Sequence, residues 1–87
     1  MTFSVIWRKQ AREFVEGLWD RAANPNAVAA ASDRINELLT RDPLNQGESR
    51  SGDYRLMFEG PLAAYFRVNA AGRRVIVLSV GPSNPSP

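Results

Sequence analysis

Arg50, Arg55 and Arg67, with Tyr65 close to the last, are the side chains of this sequence best suited to hold a charged or flat partner. A guanidinium keeps its proton at any usable pH and presents a planar fork of N–H donors that fits phosphate or carboxylate. Beside an aromatic ring it can also stack a base or pack a partner's side chain. Other chemistry is closed off by composition, because the 87 residues contain no histidine and no cysteine. Catalytic pairs built on His, zinc sites built on Cys or His, and disulfide scaffolds are thereby excluded. Glu13, Glu16 and Asp20 are spaced along one amphipathic segment as a solvated face, and no ligand geometry can be assembled from them. No metal site and no cofactor is expected.

The charge distribution agrees with this emphasis on arginine. The basic residues are ten Arg and one Lys, and the net charge is +2. Residues 1–42 hold six basic and six acidic residues; residues 43–87 hold five Arg against three acids, so the whole excess lies in the second half. A load of +2 is not the clustered basic stripe of a dedicated nucleic-acid binder. The 44% hydrophobic and 23% charged fractions are those of a globular chain. This length allows one domain, with most apolar residues committed to its core. No segment approaches the ~18 consecutive apolar residues that span a membrane, and no basic region precedes an apolar run at the N-terminus. A cytoplasmic protein without membrane contact is expected.

The elements that must position these side chains can be read from hydrophobic period. Residues 2–7 alternate and are mostly β-branched or aromatic, which predicts a short strand. From Arg8 the period becomes helical: Ala11, Phe14, Val15, Leu18 and Ala22 share a face of a helix over 8–22. Asn24-Pro25 is an N-cap followed by Pro at the first helical position. Val28, Ala31, Ile35 and Leu38 then mark a second helix that Pro43 stops near Arg41. The link is short enough for an antiparallel αα-hairpin. Residues 44–52 are polar and read as a loop. Strands follow over 54–59, 62–68 and 73–80, joined by Gly60-Pro61 and by a hairpin loop ending in Gly72. The expected architecture is an α+β domain over 1–81, β-α-α-β-β-β. A mainly antiparallel four-stranded sheet is covered on one face by the αα-hairpin, and a Pro-rich flexible tail occupies 82–87.

Parity then assigns strand faces. Leu56 and Phe58, the set Leu62, Ala64, Phe66 and Val68, and the set Ile76, Leu78 and Val80 are placed under the helices. The uncovered face is expected to carry Arg55, Met57, Tyr65, Arg67, Val75 and Val77. Met57, Val75 and Val77 there form a partly apolar partner-binding surface, and Arg55, Arg67, Arg50 and Tyr65 are candidate phosphate or partner contacts. Trp7 and Trp19 are expected in the core.

This order and these residues resemble the RelE/ParE family of toxins from type II toxin–antitoxin modules, over 5–82. The carriers are the strand ending in Trp7, the restart at Asn24-Pro25, Ile35 and Leu38-Leu39 before Asp42-Pro43, Gly52-Asp53-Tyr54-Arg55, Tyr65-Phe66-Arg67-Val68, and the run from Val75 to Gly81. The resemblance implies a small growth-inhibiting protein, monomeric or a small homo-oligomer, held inactive by a cognate antitoxin. Its target would be the ribosome and its mRNA or DNA gyrase. Family nucleases cut RNA with Lys, Arg and Tyr rather than His pairs. Arg55 matches one basic position of such enzymes. Met57, Ala63 and Ser83 stand where others would be, and the C-terminal helix bearing a Tyr is missing from this sequence. The resemblance therefore implies a toxin-like protein that binds without most of the catalytic set. The alternatives are a non-toxic interaction module of the same fold, or a ribosome-dependent mRNA endonuclease using a rearranged arginine set.

Overall fold

The switch from two-residue to helical period at Arg8 is where the chain leaves a strand and enters a helix. In the computed structural model, which describes residues 2–83, β1 is Ser4–Trp7 and α1 is Lys9–Arg21. The Ala22 N–H closes α1 on Leu18 O at 2.8 Å. α2, Pro25–Arg41, starts at the capped turn: Asn24 Oδ1 accepts from Ala27 N at 3.3 Å, and Pro25 occupies a position where an N–H would have no helical partner. Pro43 then turns the chain through a short 3-10 segment, Pro43–Asn45, whose entry is braced by Asn45 Nδ2 on the Asp42 carboxylate at 3.0 Å.

The remaining strands are β2 (Glu48–Ser49), β3 (Tyr54–Glu59), β4 (Leu62–Asn69) and β5 (Arg74–Pro82). The sheet order is β1-β5-β4-β3-β2; β1 runs parallel to β5 and every other pair is antiparallel. The αα-hairpin packs on one face. The class is the expected α+β, but the sheet has five strands rather than four. The fifth, β2, falls within the segment read as a loop. It is two polar residues long and carries no hydrophobic alternation, so pairing with Leu56 and Arg55 alone makes it a strand. Gly47 permits the approach. Its φ is +66°, and a Cβ there would lie 2.1 Å from Leu56 O.

The core lies between hairpin and sheet. Val28, Ala31, Ile35 and Leu39 of α2 and Ala11 of α1 meet Leu62, Ala64, Phe66 and Val68 of β4, as the helical and strand periods require. Phe14, Val15, Leu18 and Trp7 pack half-buried around them. Trp19, expected in the core, is 48% exposed, because it falls on the side of α1 turned away from the sheet.

On the neighbouring strands the face assignment reverses. Met57, Val75 and Val77 are 3%, 0% and 0% exposed, so they are core and do not form an open partner-binding surface. The cause is register. Met57 pairs with Ala64, Val77 with Phe66 and Val75 with Val68, and residues directly opposite in a sheet share a face. β4 alone has an unambiguous inward side, and it carries its partners with it. Leu56, Phe58 and Ile76 turn outward instead, leaving Phe58 53% exposed. A bulge then adds Leu78 between the pairs Phe66–Val77 and Tyr65–Ser79, which returns Val80 to the core out of parity with Ile76. The extra residue is anchored from α1 by Gln10 Nε2, which donates to Leu78 O at 3.1 Å.

At the C-terminal end Pro82 closes β5. Ser83 N–H donates to Pro61 O at 3.0 Å, and Ser83 Oγ donates to Gly60 O. Of the expected tail, 84–87 lie outside the described residues.

Candidate binding face of the sheet

The sheet face away from the helices is built row by row from the register. One row crosses four strands as Ile6, Ile76, Arg67 and Tyr54. The next is Ser79, Tyr65, Leu56 and Glu48, and the third is Gly81, Ala63 and Phe58. The rings of Tyr54 and Tyr65, diagonal neighbours on β3 and β4, stack with centroids 5.6 Å apart and planes 17° from parallel. Arg67 lays its Cζ 5.9 Å from the Tyr54 centroid. Two rings and a guanidinium therefore form one stacked platform. Aromatic stacking and the cation–π contact each contribute about 0.5–1 kcal/mol at such a half-exposed position. Around the platform lie Leu56, Ile76, the half-exposed Ile6 and Phe58. Arg74, two residues before Ile76, adds a second positive charge on the same side at the β4–β5 end.

The sequence-derived candidates divide accordingly. Tyr65 and Arg67 are brought together, through Tyr54. Arg50 lies in the β2–β3 connection beside them, where its N–H donates to Tyr54 O at 2.9 Å. Arg55 does not join them. It pairs with the buried Phe66, so it points to the helix side, where Nε donates to Gln46 O at 2.8 Å and Nη2 to Gly47 O at 3.2 Å. The expected sharing of one face by Arg55 and Arg67 is thus overturned, for the register reason given above. Arg55 is a clamp on the loop that leads into β2. Ile6, Tyr54, Leu56, Phe58, Ile76 and Glu48 were not singled out for this face. The Gly60-Pro61 turn was the available signal: two turn residues oppose Glu59 to Leu62, and hence Phe58 to Ala63.

Chemically the face can stack and pack, and it can hold an anion at Arg67 and Arg74. Glu48 is the one carboxylate that the three rows above place on it. Among the described residues no group of three or more Asp or Glu is close enough together to hold a metal ion. No helix among them is long and apolar enough to cross a membrane.

Solved structures share this architecture. The RelBE2 toxin–antitoxin complex of Mycobacterium tuberculosis contains a chain that superposes with a TM-score of 0.73 at 20% identity, covering 94% of this chain and 92% of that one. For the chromosomal ParDE toxin–antitoxin system of Pseudomonas aeruginosa the TM-score is 0.69 at 19% identity, covering 93% and 96%. The fold is that of the RelE/ParE toxins. The RelE/ParE fold also occurs inside a longer protein, TrmO of Pseudomonas aeruginosa. There the TM-score is 0.64 at 21% identity, with 92% of this chain covering 35% of that one. No protein-family model matches the sequence, and no curated protein does.

Proposed function

We infer that this chain is the toxin component of a toxin–antitoxin module, inhibiting growth by binding through its open sheet face rather than by cutting RNA. The reading is supported by a fold shared, over nearly the whole of both chains, with members of the RelBE2 and ParDE toxin–antitoxin assemblies. The observation that carries the mechanism is the position of Arg55. The one retained basic position of the nuclease pattern is turned to the helix side and spent on two backbone carbonyls. Arg67, Tyr54 and Tyr65 remain on the open face, and none of them is a good proton acceptor at neutral pH. Moving the 2′-OH of RNA onto the adjacent phosphate requires an acceptor as well as donors for the phosphorane. Glu48 alone, on the short edge strand β2 and two strands from Arg67, does not complete such a set. The target is the translation machinery or DNA gyrase, and the inactivating partner is a cognate antitoxin.

Inducible expression in a bacterial host tests this. Growth arrest without new mRNA 5′ ends is the expected result, relieved when Arg67 and Tyr54 are both replaced by Ala. Unimpaired growth at high soluble expression rejects the toxin reading; new 5′ ends reject the binding mechanism. Unimpaired growth is the outcome expected of the second reading, a binding module without toxicity. That reading is favoured by the occurrence of the same fold as about a third of the longer TrmO chain.

A further inference from the structure

The outer side of the αα-hairpin has a character of its own. Along α1, Val15, Glu16, Trp19 and Asp20 recur at helical spacing; along α2, Ala29, Ser32 and Asp33 do. The α2 stripe is made of short side chains, so the helices leave two adjoining hollows between them, of about 360 and 440 Å³. Both are lined by Val15, Glu16, Ser32 and Asp33, which makes them one groove. The end nearer the sheet is closed by Trp7, whose indole N–H donates to Asn36 Oδ1 at 3.0 Å, and holds Arg12, the single basic residue of the lining. The other end opens beside Trp19 and Asp20, with Trp19 48% exposed.

Charge decides what such a groove accepts. Glu16, Asp20 and Asp33 form no salt bridge among the described residues; the pairs present there are Arg34–Glu37 and Arg41–Glu37, outside the groove lining. The Trp19 end is therefore negative on both walls, apolar at Val15 and Ala29, and capped by a wet indole. A lysine or arginine side chain uses all three properties at once. Its aliphatic stem covers apolar floor, its charge meets carboxylates, and tryptophan is the ring that attracts a cation most strongly. An acidic segment is repelled there. The chain as a whole carries +2, so a basic ligand gains nothing from the overall field and binds only if this local charge holds it.

We propose that the groove between α1 and α2 docks a basic peptide segment of a partner protein, seating one lysine or arginine against Trp19 with Glu16, Asp20 and Asp33 as counter-charges. The proposal is independent of the sheet-face reading, since the two surfaces lie on opposite sides of the molecule and share no residue.

The test is fluorescence anisotropy with the full chain and a labelled, end-blocked ten-residue peptide of lysine, leucine and alanine, beside a counterpart with glutamate for lysine. Saturable binding of the lysine peptide alone is expected. The double variant Glu16→Gln/Asp33→Asn should weaken it at least tenfold and Trp19→Ala should do the same. The charge-matched control Glu13→Gln/Glu37→Gln should stay within twofold. Equal binding of the glutamate peptide, or a Glu16→Gln/Asp33→Asn variant indistinguishable from the control, overturns the proposal. So does sedimentation that finds a dimer dissolved by Glu16→Gln/Asp33→Asn, because the occupant is then a second copy of the chain.

Discussion

Replacing Arg55 by Ala removes a clamp, and its cost can be worked from the two bonds it makes. Arg55 Nε and Nη2 donate to the carbonyls of Gln46 and Gly47 at 2.8 and 3.2 Å. A hydrogen bond from a charged donor contributes about 1.5–3 kcal/mol when protected from water. Arg55 is only half-buried, so the sum belongs at the low end of that scale, about 2 kcal/mol for both together. A domain of this size loses about 4–8 °C of Tm per kcal/mol, so Arg55→Ala should melt about 8–16 °C below the parent chain. Arg55→Lys keeps the charge but has no fork to span two carbonyls, and should recover less than half of the loss. Arg67 is exposed and holds only a ring at 5.9 Å, so Arg67→Ala should cost less than about 1 kcal/mol. Thermal unfolding followed by circular dichroism reads all three. If Arg55→Ala melts within about 2 °C of the parent, or if Arg67→Ala costs more, the division of the two arginines between scaffold and open face is wrong. A loss of growth inhibition in Arg55→Ala then has a ready cause in folding, and only the Arg67 and Tyr54 variants report on the face itself.

Gly47→Ala should cost more than about 2 kcal/mol in chemical denaturation, since a Cβ would sit 2.1 Å from Leu56 O at a φ of +66°. Gly52→Ala is the control: its φ is +56° with nothing within 4 Å, and about 1 kcal/mol of backbone strain is the whole expected effect. Val77→Ala empties a fully buried site and should cost about 2 kcal/mol, against less than about 1 kcal/mol for Ile76→Ala on the open face; a larger loss at Ile76 than at Val77 by urea titration would reinstate the parity assignment. For the stacked rings, a double-mutant cycle with Tyr54→Leu and Tyr65→Leu should return a coupling of about 0.5–1 kcal/mol, and a cycle that sums to zero would leave the platform without energetic content.

The sequence is legible where one physical signal dominates. Helical period and the Asn24-Pro25 cap place both helices, and β4 declares its inward side because Leu62, Ala64, Phe66 and Val68 face Ala63, Tyr65 and Arg67 across the strand. β3 and β5 are apolar on both faces: Leu56 and Phe58 against Met57, and Ile76 and Leu78 against Val75 and Val77. Parity within such a strand cannot choose a side. Only register to β4 can, and the turn lengths at Gly60-Pro61 and 70–73 carry that information. The Leu78 bulge has no local sequence signal, and the hydrogen bond that meets it comes from Gln10, 68 residues away along the chain. β2 is illegible for the same reason at shorter range, since its pairing rests on Gly47 and on the Arg55 clamp.

That dependence changes what the arginine excess of the second half can mean. Counted as charge, five arginines against three acids suggest an affinity for anions. Counted by partner, they separate. Arg55 gives two of its five N–H donors to carbonyls of its own chain, and Arg67 is laid on a tyrosine. Arg73 holds a φ of +52° in the β4–β5 hairpin, and Arg74 begins β5. To reach a ligand on the open face Arg55 would have to leave those two oxygens, and the loop into β2 would loosen with it. Arg67 gives up only a ring contact, so it can exchange Tyr54 for an incoming flat or anionic group at little cost. Of the five, Arg55 is the one whose guanidinium is held by backbone oxygens among the described residues, and Arg67 is the one laid on the stacked tyrosines of the open face.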